Sequence, residues 1–236
     1  MKQFTPALSR EIQLTPQHID QTLLRPEATR RQVEELCAQA KEIGFAAVCI
    51  FPQWVSLASQ LLTGSPVKVC TVVGFPFGSN TQLAKTVEAA EALARGAEEI
   101  DLVMNLGAFK SRDLRRVSRE IEAVAELVSS GKGGVLKVIL ETGLLEEAEM
   151  EEAARLAEEA GAHFVKTSTG FGPGGARAED VRRLRQVLRP TTRIKASGGI
   201  RTVESAISLR QAGADRLGTS AGVEIVRSLR QTGGIL

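Results

Sequence analysis

The chain contains no tyrosine, one tryptophan, two histidines and three cysteines among its 236 residues, and each shortage excludes something. Cys37, Cys49 and Cys70 are an odd number at spacings that match no zinc-binding pattern, and two of them lie in apolar runs. Reduced thiols in a cytoplasmic protein are therefore expected, rather than a disulfide framework or a structural metal. His18 and His163 are far apart, with no cysteine or carboxylate at ligand spacing, so packed or hydrogen-bonded imidazoles are expected and no metal centre. No run of about 18 apolar residues occurs, and Met1 to Ile12 lacks an apolar signal core, so neither a membrane span nor export is expected. Charge of one sign is lacking too. The 30 basic and 28 acidic residues leave a formal +2, too small a surplus for a nucleic-acid or anionic-membrane surface, so any anion must be bound locally.

What is present is the composition of one large globular domain spanning residues 1–236, with 43% hydrophobic and 25% charged residues. Short β-branched runs alternate with longer stretches rich in Ala, Leu, Glu and Arg, which argues for parallel strands joined by helices. Strands are expected at His18–Leu23, Ala46–Phe51, Lys68–Val73, Glu99–Met104, Val135–Glu141, His163–Thr167, Arg193–Ala196 and Asp215–Gly218. Helices are expected at Arg31–Ile43, Gln82–Arg95, Arg112–Ser129, Leu145–Ala160, Ala178–Leu188 and Val203–Ala212. Gly44, Gly96, Gly161 and Gly213 each stand just past a helical pattern and shortly before a strand, as left-handed caps do. Eight such units fit an α/β fold of the (β/α)8 TIM barrel type. A doubly wound open sheet is the alternative, without a Gly-x-Gly-x-x-Gly turn after the first strand to support it.

Side chains of a barrel strand alternate between the helix layer and the interior. If Ile100, Leu102 and Met104 face the helices, then Asp101, Val103 and Asn105 face inward. By the same alternation Lys137, Ile139 and Glu141 point inward from one strand, Phe164, Lys166 and Ser168 from another, and Lys195 from a third. Lysine is the minority base, 9 of the 30 Lys and Arg residues, yet three of the nine fall in strands expected to be buried. Burial and a neighbouring cation both disfavour an ammonium group, and a neutral lysine can attack a carbonyl to form a Schiff base. A single strand lysine is more often a rim residue whose head reaches water, and Asp101 alone is as readily an ion-pair partner. Their convergence near strand ends is what points to chemistry.

Three late strands run into Thr167-Ser168-Thr169-Gly170, Ala196-Ser197-Gly198-Gly199-Ile200 and Gly218-Thr219-Ser220-Ala221-Gly222. Glycines let backbone N–H groups approach an anion, and the loops after the seventh and eighth strands are the habitual phosphate site of barrels. Tight turns also use glycine for geometry alone. Cys49 either lines the cavity or fills space, Trp54 and Phe75-Pro76-Phe77 wall a pocket or pack a loop, and the charged face of Glu146–Glu159 is solvated.

Taken together, Ala46-Ala47-Val48-Cys49-Ile50-Phe51-Pro52, Glu99-Ile100-Asp101-Leu102-Val103, Leu136-Lys137-Val138-Ile139-Leu140-Glu141-Thr142-Gly143, Phe164-Val165-Lys166-Thr167-Ser168-Thr169-Gly170-Phe171, Ile194-Lys195-Ala196-Ser197-Gly198-Gly199-Ile200-Arg201 and Leu217-Gly218-Thr219-Ser220 closely resemble the deoxyribose-phosphate aldolases, class I aldolases of barrel fold. The likeness spans nearly the whole chain. It implies Lys166 as the Schiff-base lysine, Lys195 as the second lysine that lowers the proton affinity of the first, and Asp101 as the proton relay. It further implies a substrate-binding set of Asp20, Thr22, Cys49, Lys137, Thr169, Gly170, Gly198, Gly199, Gly218 and Ser220, the glycines and Ser220 holding a phosphate. The implied partners are a sugar phosphate and aldehydes, with no cofactor, and the assembly is a homodimer or homotetramer. Two features depart from the family pattern: a C-terminal tyrosine is missing, and Arg25 stands where a smaller polar residue is usual. A Schiff-base aldolase for another phosphorylated sugar, and a sugar-phosphate-binding barrel without turnover, are the competing readings.

Overall fold

Each strand of the chain pairs in parallel with the next, and the last pairs with the first, so the sheet closes on itself. The computed structural model describes residues 13–131 and 133–231. In order it comprises β1 (Ile19–Leu23), α1 (Arg30–Ile43), β2 (Ala47–Ile50), α2 (Val55–Leu61), β3 (Lys68–Val73), α3 (Gln82–Ala94), β4 (Glu99–Val103), α4 (Leu106–Lys110), α5 (Leu114–Ser130), β5 (Val135–Ile139), α6 (Glu147–Glu159), β6 (Phe164–Lys166), α7 (Ala178–Val187), β7 (Arg193–Ser197), α8 (Val203–Gln211), β8 (Arg216–Thr219) and α9 (Gly222–Gln231). Closure is set by the register Ile19↔Leu217, Asp20↔Gly218 and Gln21↔Thr219. The fold is therefore a single-domain (β/α)8 barrel, and the open sheet is excluded. No helix among the described residues is long and apolar enough to cross a membrane.

Local chemistry sets the element ends. Thr29, Thr81, Asp113 and Thr202 each accept a backbone N–H from the first turn of the helix that follows, satisfying a donor that has no partner within the helix. The Asp113 cap starts α5 at Leu114, later than the Arg112 start read from composition. Gly44, Gly96, Gly161 and Gly213 all have left-handed φ, between +83° and +112°, as expected of caps.

The barrel wall separates two apolar layers. Outside it, Ile100, Leu102, Leu136, Val138, Ile194 and Leu217 pack against helices, for example against the Val117–Ile121–Val124–Val128 face of α5. Burying each such aliphatic side chain contributes about 1.5–3 kcal/mol. Inside it, Ala47, Cys49, Cys70 and Val72 form a smaller cluster with Leu24. The strand alternation thus holds through the wall but fails just beyond it. Asn105 does not point into the barrel: its amide donates to Glu120 of α5 at 2.9 Å and its oxygen caps α4, because β4 has already ended at Val103. Glu141 lies past the end of β5 in a left-handed turn of φ +44°, and binds the backbone and hydroxyl of Thr169 at the rim.

Candidate active site

All eight strands contribute a titratable side chain to one cluster, buried except for the half-buried Arg216: Asp20, Cys49, Cys70, Glu99 with Asp101, Lys137, Lys166, Lys195 and Arg216, in strand order. Asp101 is its centre. Its Oδ2 accepts from Lys166 Nζ at 2.8 Å and from Lys195 Nζ at 2.7 Å, while its Oδ1 accepts from Lys137 Nζ at 2.9 Å and from the Cys70 thiol at 3.2 Å. Lys195 also donates to Asp20 Oδ2 at 2.5 Å, and Lys137 pairs with Glu99 at 2.5 Å. Arg216 ties the two outer carboxylates together, 2.6 Å from Asp20 and 3.6 Å from Glu99. Beneath this layer Phe164 lies between guanidinium groups, with Arg193 at 4.1 Å and Arg216 at 5.7 Å from the ring centre.

The electrostatics follow from that packing. Burial alone would raise the Asp101 carboxyl, yet Lys137, Lys166 and Lys195 together hold it well below the usual carboxylate range. Asp20 is held low in the same way by Lys195, Arg216 and Lys137 against its burial. Burial would also depress Lys195, but Asp101 and Asp20 more than reverse this, and Lys137 is likewise held well above the ordinary lysine value. Both lysines are therefore firmly cationic. The expected contact between two amines takes a specific form: a carboxylate oxygen stands between Lys166 and Lys195, donated to by both.

Above the cluster opens a cavity of about 640 Å³. Lys166, Thr22, Thr169, Gly170, Gly198, Gly199, Gly218 and Ser220 all line it, but Asp101, Lys195, Asp20, Cys49 and Lys137 do not. The last five are completely buried beneath its floor. Asp20, Cys49 and Lys137, expected in the substrate-binding set, thus lie below the cavity, because inward-pointing residues of a small barrel stack in layers and only the uppermost layer meets it. Gly218 also makes room for Lys195: a Cβ there would lie 3.0 Å from Lys195 Cε. Gly198, with φ +92°, lets two loops meet backbone to backbone, since a Cβ would lie 3.2 Å from Gly175 Cα.

Other lining residues were not singled out from the sequence, among them Gln21, Ser197, Phe171 and Arg201, and the α1 residues Gln32, Glu35 and Gln39. Arg201 directly follows the Gly198-Gly199-Ile200 turn, a position that could have marked it as a companion of the anion loop. Arg25 also faces the cavity. Phe75 packs edge-to-face on Phe51 and Phe171, at 5.9 and 5.3 Å between ring centres, whereas Phe77 is 74% exposed and walls nothing. His163 Nδ1 accepts the Leu136 N–H, and His18 Nδ1 the Thr15 N–H, so both imidazoles have the structural partners expected of them. All three cysteines are unpaired.

Two trios, Cys49/Cys70/Asp101 and Asp20/Cys70/Glu99, bring metal-ligand atoms within 4.8 Å of one another. In each, the carboxylates already pair with lysine or arginine, so ammonium and guanidinium groups occupy the directions a cation would use.

Comparison with known proteins agrees over almost the full length. The family model for DeoC/LacD family aldolases matches residues 16–229. A deoxyribose-phosphate aldolase of Thermoanaerobacter sp. (strain X514) is 53% identical over 208 residues, covering 88% of this chain and 93% of the relative. The deoxyribose-phosphate aldolase of Brevibacillus brevis is 49% identical over 216 residues, 92% of this chain and 96% of that one. Among solved structures, the tetrameric deoxyribose phosphate aldolase from Aeropyrum pernix superposes with a TM-score of 0.86 at 36% identity, covering 95% of this chain and 99% of that one.

Proposed function

The chain belongs to the DeoC/LacD family of aldolases, and from that premise we propose that it reversibly cleaves 2-deoxy-D-ribose 5-phosphate to D-glyceraldehyde 3-phosphate and acetaldehyde through a Schiff base on Lys166, within deoxyribose phosphate catabolism. One observation carries the assignment of the nucleophile: of the charged groups clustered on Asp101, Lys166 is the one that also lines the cavity.

The neutral Nζ of Lys166 attacks C1 of the open-chain sugar, and loss of water gives an iminium. Removal of the C3 hydroxyl proton breaks the C2–C3 bond, and its electron pair flows into the iminium to leave an enamine. C3 departs as the aldehyde carbon of glyceraldehyde 3-phosphate. Protonation of C2 and hydrolysis then release acetaldehyde and restore the amine. Asp101 Oδ2, bonded to both Lys166 and Lys195, is the acceptor through which protons pass between the amines and water. Gly170, Gly198, Gly199, Gly218 and Ser220 offer the phosphate a concave backbone, with Arg201 as its charged neighbour. Thr22 and Thr169 face the sugar hydroxyls, while Asp20, Cys49 and Lys137 act from beneath. The route needs no cofactor. By analogy with the tetrameric Aeropyrum pernix relative, the assembly is a homodimer or homotetramer, which light scattering on the eluting protein will read directly.

The test is chemical trapping. Incubation with acetaldehyde and borohydride should leave a reduced ethyl group on Lys166, located by peptide mass spectrometry, and Lys166→Ala should abolish both the adduct and turnover. A binding barrel would hold sugar phosphate without forming the adduct. An aldolase for a different sugar would trap acetaldehyde poorly and prefer another donor in a substrate panel.

A further inference from the structure

We infer that Lys137 and Glu99, neither of which reaches the cavity, set the charge balance that frees the Lys166 amine for attack. The inference rests on Lys166 being the Schiff-base lysine. The groups facing one another inside the barrel are Asp20 from β1, Cys49 from β2, Cys70 from β3, Glu99 and Asp101 from β4, Lys137 from β5, Lys166 from β6, Lys195 from β7 and Arg216 from β8. With the thiols neutral, four cations face three carboxylates, so the cluster holds one surplus positive charge and loses it on releasing a single proton.

Geometry says which proton that is. Lys137 touches Glu99 and Asp101 at 2.5 and 2.9 Å, Lys195 touches Asp20 and Asp101 at 2.5 and 2.7 Å, and Arg216 touches Asp20 and Glu99 at 2.6 and 3.6 Å. Lys166 has one carboxylate contact, Asp101 at 2.8 Å, and it alone of the four meets the cavity. The surplus proton is therefore that of Lys166, and its departure leaves every other charge in the ring paired. Lys137 supplies one of the cations that make the surplus. Glu99 occupies Lys137 and Arg216, so that neither adds its full field to Asp101 or competes for it. Both are positioning residues, acting on the nucleophile through the charge around Asp101.

Opposite substitutions must then act in opposite directions. Lys137→Met removes a cation and makes the ring neutral while Lys166 is still protonated, so the amine becomes available only at higher pH. Glu99→Gln leaves a surplus of two, and the amine becomes available at lower pH. For a unit charge one carboxylate away, at an effective dielectric constant of about 20, each shift is on the order of one pH unit. Lys137→Met combined with Glu99→Gln restores the surplus of one and should return the profile close to that of the unmodified protein.

The measurement is the pH dependence of imine formation with acetaldehyde, trapped by cyanoborohydride and quantified on the Lys166 peptide. Acetaldehyde carries no phosphate, so the acidic limb reports the protein. Circular dichroism and a thermal melt establish that each variant is folded, and if Lys137→Met is not, the near-isosteric Glu99→Gln decides alone. A structural role would lower rates without moving the limb. Unmoved limbs, or two limbs that move the same way, overturn the inference. Failure of the unsubstituted protein to trap acetaldehyde on Lys166 instead overturns the Schiff-base reading on which it rests.

Discussion

Asp101→Asn removes the one anion that three ammonium groups share while keeping the shape of the side chain. Lys195 would retain Asp20 and Lys137 would retain Glu99, each at 2.5 Å, but Lys166 would have no carboxylate. Leaving buried charge without its partner costs about 3–5 kcal/mol. In a domain of this size 1 kcal/mol moves the melting point by about 2–4 °C, so a fall of about 6–20 °C is expected at pH 7. The pH dependence fixes the cause. Asp101 is held below its unfolded value, so its contribution is complete at neutral pH and is lost only as the medium becomes strongly acidic. In the variant, Lys166 is a buried ammonium without a carboxylate, and it sheds its proton more readily than it does in the unfolded chain. The unfolded state then binds more protons, and stability rises with pH from neutrality towards about 10. The unsubstituted protein has no such rise, because Lys137 and Lys195 are held above the ordinary lysine value and their contribution stays complete up to about pH 10, to be lost only beyond it. Calorimetric melts between pH 7 and about 10 distinguish the rising curve from the level one. A variant within about 2 °C of the parent at pH 7, or one whose stability does not rise between pH 7 and about 10, would refute the argument.

Gly218→Ala places a methyl group 3.0 Å from both Lys195 Cε and Ser197 Cβ, so these neighbours must give by a few tenths of an ångström and the two short bonds of Lys195 are strained. Turnover should drop at least tenfold, with a stability loss of about 1–3 kcal/mol, as measured by steady-state kinetics and urea unfolding. Lys85→Met leaves Glu120, buried on α5, without its 2.8 Å ammonium partner while it keeps Arg116 at 3.1 Å and Asn105 at 2.9 Å. The urea midpoint should fall by the equivalent of about 1–3 kcal/mol, and adding Glu120→Gln should recover part of it. His163 is held below the usual histidine value by burial and then by Arg193, and its unprotonated Nδ1 accepts the Leu136 N–H at 3.1 Å. Its share of stability is therefore present above about pH 6.5 and is lost as pH falls, because the unfolded chain takes the proton first. In His163→Gln the decline of the urea midpoint between about pH 7 and 5 should be shallower, and an unchanged slope would exclude this role.

The eight strands were legible because β-branched runs mark each of them and cap glycines precede four, β2, β4, β6 and β8. The elements left out are the ones whose signals are weak. Helix α2 has seven residues and no side-chain cap, and α4 has five and is capped by Asn105, which alternation alone assigns to the preceding strand. Helix α9 starts in the same glycine-bearing segment that reads as an anion loop, although Val223, Ile225, Val226 and Leu229 form its buried face. Periodicity reports which way a side chain points within an element, but not where the element stops. Stops are set by caps and left-handed turns such as Asp113 and Glu141.

The site was legible one strand at a time and no further. Asp101 and Lys137 are register partners, as are Lys166 and Lys195, so their meeting follows from neighbouring strands. Asp20 reaches Lys195 only because β1 closes on β8, and the same closure brings Arg216 to Asp20 and Glu99. Glu99 and Arg216 each begin a strand, where a charge in sequence looks like a solvated rim, and neither was singled out. Depth was the other hidden variable. Three inward lysines look equivalent in an alternating pattern, but Lys166 is the last residue of β6, whereas Lys137 and Lys195 are the middle residues of five-residue strands. Position along the strand therefore separates the amine that lines the cavity from the two that are buried beneath it among carboxylates.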